Sequence, residues 1–162
     1  MLGVTVRGKR IAFPAGLPDY LRTRGTERKI AGIAEQPVNE VGIKTILLKT
    51  GKRWNYYAAI VEAGKAVIPH VHAKGGVEKY YFPEESGVMH IGKATPTSEK
   101  AGKLVHLAGW RAPVRAVGTI EVKPGEAHSF HNSTDERILF FFRCHSGHMA
   151  EDRFMVVNEP AY

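Results

Sequence analysis

The chain has 162 residues, 43% hydrophobic and 9% aromatic, which is enough for one core and about one domain. No apolar run approaches the ~20 residues of a membrane span, and the opening MLGVTVRGKR has no apolar stretch between its charges and a cleavage site, so neither a bilayer span nor export is expected. The single cysteine, Cys144, excludes an intramolecular disulfide framework, and a reducing, cytoplasmic setting is the expectation.

The formal net charge of +7 is unevenly placed. Residues 1–53 hold eleven Lys or Arg against four acids (Asp19, Glu27, Glu35, Glu40), whereas residues 54–162 hold twelve of each. Such an arm can attract phosphates or steer anions. No aromatic-basic interleaving, helix-turn-helix pattern or zinc-finger spacing accompanies it, so a nucleic-acid partner is not expected. A solvated arm, or one that packs on the barrel or a second subunit, is.

In chain order, residues 11–27 contain Pro14, Gly16, Pro18 and Gly25, which argue against a long helix; Pro18 to Leu21 predicts one short helical turn. Residues 42–50 and 54–62 read as strands joined at Thr50-Gly51-Lys52, a hairpin. Strands at 65–72 and 77–82 follow, joined by Lys74-Gly75-Gly76, and a short strand at 88–91 comes after the turn at 83–87. Residues 93–103 are polar and predict a loop or lid. Further strands are predicted at 104–107, 114–122, 129–132 and 138–144. No helical period stands out, apart from a short turn near 148–154. Many short strands between Gly and Pro turns predict an antiparallel sandwich or barrel.

Two segments carry the chemistry. Residues 64–78, GKAVIPHVHAKGGVE, set His70 and His72 one residue apart in an extended run; alternate strand side chains leave by the same face, so the two imidazoles can share a metal. Residues 118–132, GTIEVKPGEAHSFHN, carry a Pro124-Gly125 turn, then His128 and Asn132. Together they resemble the two motifs of the cupin superfamily. Gly64, His70 and His72 fit the first at its usual spacing, and Gly118, Pro124, His128 and Asn132 carry the second. Five residues rather than three or four separate His72 from Glu78, Gly87 falls late, and Pro124 and Gly125 are adjacent where the pattern has P-x-G. Glu78 is preferred as the carboxylate over Glu84 and Glu85, which sit in a turn with Pro83, Ser86 and Gly87.

The resemblance implies an all-β fold, an antiparallel double-stranded β-helix or jelly-roll barrel over residues 51–162. Residues 1–50, a basic arm with the first strands, would pack on it to make one domain overall. It also implies a homodimer formed by edge strands. Three imidazoles and a carboxylate (His70, His72, Glu78, His128) suit one divalent transition metal, Fe, Mn, Ni, Co, Cu or Zn, rather than the oxygen-seeking Ca or Mg. Three functions are consistent with such a site. One is an oxygenase whose small, oxygen-bearing substrate chelates the metal. Another is a redox-neutral isomerase, epimerase, lyase or cyclase in which His90, His106 or Tyr81 moves a proton. The last is a binding module without turnover. His131, at an odd offset from His128, is expected on the opposite face unless Ser129 forms a bulge. The Cys144-His145-Ser146-Gly147-His148 run lacks structural-zinc spacing and is expected to be a turn after a buried Phe140-Phe141-Phe142 strand.

Overall fold

The structure is a computed structural model and describes residues 3–6, 8–73, 75–96, 104–147 and 152–157. Two sheets form the body. One has five strands in the order β10 (Gly118–Val122), β6 (Glu78–Phe82), β12 (Ile138–His145), β4 (Trp54–Val61) and β3 (Lys44–Thr50). The other has six, in the order β11 (Glu126–His131), β5 (Ala66–His72), β13 (Arg153–Val156), β8 (Leu104–Trp110), β7 (Val88–Pro96) and β9 (Val114–Arg115). A further pairing of β11 with β7 curls this second sheet on itself, and all pairs are antiparallel except β13 with β8. The expected double-stranded β-helix architecture is what the chain adopts.

Strand alternation divides the buried side chains among three clusters. Phe140 and Phe142 of β12 face between the sheets with Tyr80, Phe82, Val67 and Phe130. Phe141, from the same run, faces the other way and meets Phe13 at 5.8 Å between ring centroids. That outer face of the five-stranded sheet would be an exposed apolar patch, and the N-terminal segment covers it. The cover consists of the β1 (Gly3–Val6)–β2 (Lys9–Ala12) hairpin, a 3-10 turn at Asp19–Leu21, helix α1 (Arg24–Ala31) and a 3-10 turn at Ile33–Glu35. Leu17, Leu21, Ile30 and Ile33 are its buried contacts. A third cluster, Val71, Val105, Leu107, Ala127 and Val156, lies on the outer face of the six-stranded sheet.

Three sequence expectations are corrected. Helix α1 forms where no helical period stood out: Thr23 caps it by accepting from Thr26 N–H at 3.2 Å, and Thr26 and Ile30 bury one stripe. The helical turn expected at 148–154 is replaced at its end by strand β13, held between β5 and β8; residues 148–151 lie outside the described residues. Residues 93–96, expected to open a polar loop, instead continue β7 to Pro96 against β8. Residues 97–103 lie outside the described residues.

Much of the basic arm is anchored in this cover. Arg22 donates to the carbonyls of Ala15 and Leu17, Lys29 to Leu48 O at 2.9 Å and Lys44 to Ala34 O at 2.6 Å, while Arg10 meets Glu27 at 3.0 Å. No described helix is long and apolar enough to cross a membrane.

Candidate metal centre

Strand β5 delivers the first two imidazoles. Val67 and His70 both line the interior although an odd offset should send them to opposite faces. The register of β5 against β11 explains this: His128 pairs with His70 but Phe130 pairs with Val67, so β5 carries an extra residue at Ile68-Pro69. A bulge there also suits a proline, which has no N–H for the ladder. Beyond it, His70 and His72 share the inner face, and Val71 points to the outer cluster. Strand β11 supplies His128 and β6 supplies Glu78, each on the inner face with Phe130 and Tyr80 respectively.

His70, His72 and His128 are all buried, and one ring nitrogen of each lies within 4.8 Å of the other two. Each Nδ1 faces a backbone carbonyl: His70 that of Ile68 at 2.8 Å, His72 that of Asp152 at 2.9 Å, His128 that of Glu126 at 3.4 Å. A carbonyl only accepts, so each Nδ1 donates to it, which leaves Nε2 as the atom a metal would take. Burial, followed by the neighbouring His128 and His72 rings, holds His70 well below its ordinary 6.5, which keeps it neutral.

Glu78 is 4% exposed, and its Oε2 lies 3.2 Å from His128 Nε2 and 3.8 Å from His72 Nε2. His128 Nε2 is buried and makes no hydrogen bond among the described residues. The Glu78 carboxylate oxygen and the three imidazole nitrogens are thus donor atoms converging in one buried site. The donor set therefore fits a divalent transition metal, whose identity the ligands alone do not choose. Glu84 and Glu85 are elsewhere, paired at the surface with Lys9 and Arg115.

The second motif also has a structural half. Gly125 takes φ +80° in the turn and its N–H donates to His72 O at 2.8 Å, tying the turn to the first motif. Asn132 is fully buried; its Nδ2 donates to the carbonyls of Val61, Glu62 and Glu136, and its Oδ1 accepts from Thr134. It holds the loop between β11 and β12 rather than entering the site.

Two of the three proton-transfer candidates are corrected. Tyr81 is at an odd offset from Glu78 and packs in the outer cluster with Tyr56 and Phe141, away from the imidazoles. Its neighbour Tyr80 faces the site, with its ring 5.7 Å from that of His128. Burial and then Glu78, which also accepts its hydrogen bond, push the Tyr80 hydroxyl well above its ordinary 10, so it stays protonated. His90 lies between the inward Met89 and Ile91, and so leaves by the other face, against Trp110 at 6.1 Å. Burial, with some effect of His131, lowers its pKa there. The backbone of His106 pairs with Thr95, and its side chain lies outside the described residues. Cys144 points into the core, where burial pushes its thiol up, while His145 points out against Trp54.

Sequence reasoning missed Arg153. It lies directly opposite His72 in the β5–β13 ladder and is 7% exposed. It lines, with His70, His72, Glu78 and Tyr80, a narrow cavity of about 10 Å³ whose walls are Val41, Ile43, Val67, Phe140 and Phe142. Its guanidinium pairs with Glu40.

No family model matches the sequence, and no curated protein matches it. Solved structures do. The capsular polysaccharide assembling protein CapF from Staphylococcus aureus is 15% identical, with TM-score 0.54, over 74% of this chain and 31% of that one, so the chain spans about a third of its length. An uncharacterized conserved protein with a double-stranded β-helix domain from Klebsiella pneumoniae is 16% identical, with TM-score 0.50, over 78% of this chain and 95% of that one. A cupin domain from Bordetella pertussis is 12% identical, with TM-score 0.45, over 68% of this chain and all of that one. At such identities the likeness is one of fold, and the likeness to the Klebsiella structure agrees with the two curled sheets: the chain has the double-stranded β-helix fold.

Proposed function

We propose that the protein is a metal-dependent enzyme acting on a small oxygen-bearing substrate, with His70, His72, Glu78 and His128 as the metal's ligands. The observation that carries this reading is the convergence of three buried imidazoles with the Glu78 carboxylate, whose Oε2 lies 3.2 Å from His128 Nε2. A divalent metal there supplies Lewis acidity, or redox chemistry if it is Fe, Mn, Cu, Ni or Co. The chain's own contribution is positional. Carbonyls of Ile68, Asp152 and Glu126 fix the three rings, the Tyr80 hydroxyl steers Glu78, and the Phe140 and Phe142 walls keep bulk water out. Tyr80 and Arg153 in the lining exceed what mere metal storage requires, which favours turnover over binding alone.

An oxygenase is preferred to a redox-neutral catalyst. Tyr81 and His90 point away from the cavity, so its described polar lining is His70, His72, Glu78, Tyr80 and Arg153, which leaves few independent acids or bases. The test is a screen of small hydroxy and keto acids with protein reconstituted in turn with each of the six metals, followed by oxygen consumption. Turnover that consumes oxygen and is lost in His128→Ala supports the oxygenase. Equal turnover with zinc under strict anaerobiosis selects the isomerase or lyase class.

A further inference from the structure

We infer that Arg153 is the anchor for a small carboxylate and that Glu40 holds its place when the ligand is absent. The inference rests on the proposed metal centre for where the other end of the ligand lies. A guanidinium buried to 7% exposure is costly unless paired. Its partner here comes from an unusual place, because the Glu40 side chain is 65% exposed and belongs to the loop that closes the cavity.

That loop is compact and self-contained. Asn39 Oδ1 accepts from both Val41 and Ile43 N–H at 3.1 Å, Asn39 N–H donates to Ile43 O at 2.8 Å, and Gly42 turns at φ +84°. Val41 and Ile43 form a cavity wall, so the loop that carries Glu40 also carries the roof. The Glu40–Arg153 pair fastens the roof to strand β13. An incoming carboxylate can take the Arg153 Nη1 contact that Glu40 Oε1 now makes and bring a second oxygen to the guanidinium fork. Glu40, half in water already, loses little when displaced.

Charge selects the ligand class. A divalent metal held by the three imidazoles and Glu78 would leave one positive charge there, and Arg153 adds a second. With Glu40 displaced into solvent, the cavity favours an anion, and its narrow volume favours one of few atoms. Because Arg153 stands opposite His72 on one face of the ladder, a carboxylate on Arg153 lies beside the metal-binding edge of that ring.

The test follows the Arg153 Nε–Hε resonance by NMR in zinc-loaded and in metal-free protein during titration with formate, and with formamide as its uncharged counterpart. Formate is expected to shift the resonance saturably and formamide is not. Arg153→Gln should weaken formate binding about tenfold or more, read from backbone shifts of β5, with zinc content unchanged. Glu40→Gln should tighten it, by roughly threefold to tenfold, because the competing carboxylate is gone. Arg153→Lys, which keeps the charge, should fall between wild type and Arg153→Gln and guards against misfolding of the latter. Equal responses to formate and formamide, or weaker formate binding in Glu40→Gln, would overturn the inference. A protein that takes up no zinc would refute the metal centre alone, since the Arg153 response is also read without metal.

Discussion

The inside of the barrel contains two triangles of rings built from neighbouring positions. At one end His70, His72 and His128 stand with centroids 4.3, 5.1 and 5.8 Å apart. At the other, Phe82, Phe130 and Phe140 stand 5.2, 5.6 and 5.6 Å apart. Strand β11 contributes to both, and one inward step of about 6.7 Å separates His128 from Phe130. Strand β6 shows the same gradient, running from Glu78 through Tyr80 to Phe82. The phenylalanines satisfy one another by dispersion and edge contacts. The imidazoles are packed as tightly, but their ring nitrogens converge beside a buried carboxylate. Strands β11 and β6 thus supply a phenylalanine core at one end and metal-ligating side chains at the other.

The largest expected effect breaks the imidazole triangle. In the double variant His72→Ala, His128→Ala, metal content by elemental analysis should fall from close to one equivalent per chain to none, while circular dichroism retains the β spectrum. Full occupancy in that variant would remove the site from these residues. Phe140→Ala should do the reverse: it should cost about 3–5 kcal/mol of stability by denaturant melt and leave the metal stoichiometry of the folded protein unchanged. Loss of metal with no loss of stability would mean the two ends are not separate.

A finer division separates the buried carboxylate from the surface ones. Glu78→Gln should weaken metal affinity at least by the ~10–100-fold that loss of an outer partner costs, measured by competition with a chelator. Glu84→Gln and Glu85→Gln, whose partners Lys9 and Arg115 are exposed, should stay within about 0.5 kcal/mol of wild-type stability. The opposite ranking would place the ligand in the turn.

The smallest effect is a pH dependence of the metal-free protein. Burial holds His70, and to a lesser degree His90, below 6.5 in the folded state, so the unfolded chain takes up these protons first. Their contribution is fully present above about pH 6.5 and is lost as pH falls from there toward the depressed folded values. Urea midpoints should therefore drop between pH 7.5 and pH 5. A flat profile would mean that the His70 environment is wetter than its burial implies.

How much of this was legible follows from which interactions are local. His70 and His72 follow from strand alternation alone, and Glu78 from the position of the next strand. Choosing Tyr80 over Tyr81 required only counting from Glu78, and Met89 and Ile91 likewise point His90 outward; both signals were in the sequence. Helix α1 had Thr23 as a cap and Thr26, Ile30 and Ile33 at helical spacing, but Gly25 masked it. The bulge at Ile68-Pro69 was not legible, because it exists only in the pairing with β11. Arg153 was least so: its role depends on β13 inserting beside β5, where His72 Nδ1 meets the Asp152 carbonyl across 80 residues of sequence.

The most direct measurement is X-ray absorption at the metal edge of the purified, metal-reconstituted protein. The account predicts a first shell with the multiple-scattering signature of three imidazoles, together with oxygen from a carboxylate. A shell of oxygen alone, or one containing sulfur from Cys144, would contradict it.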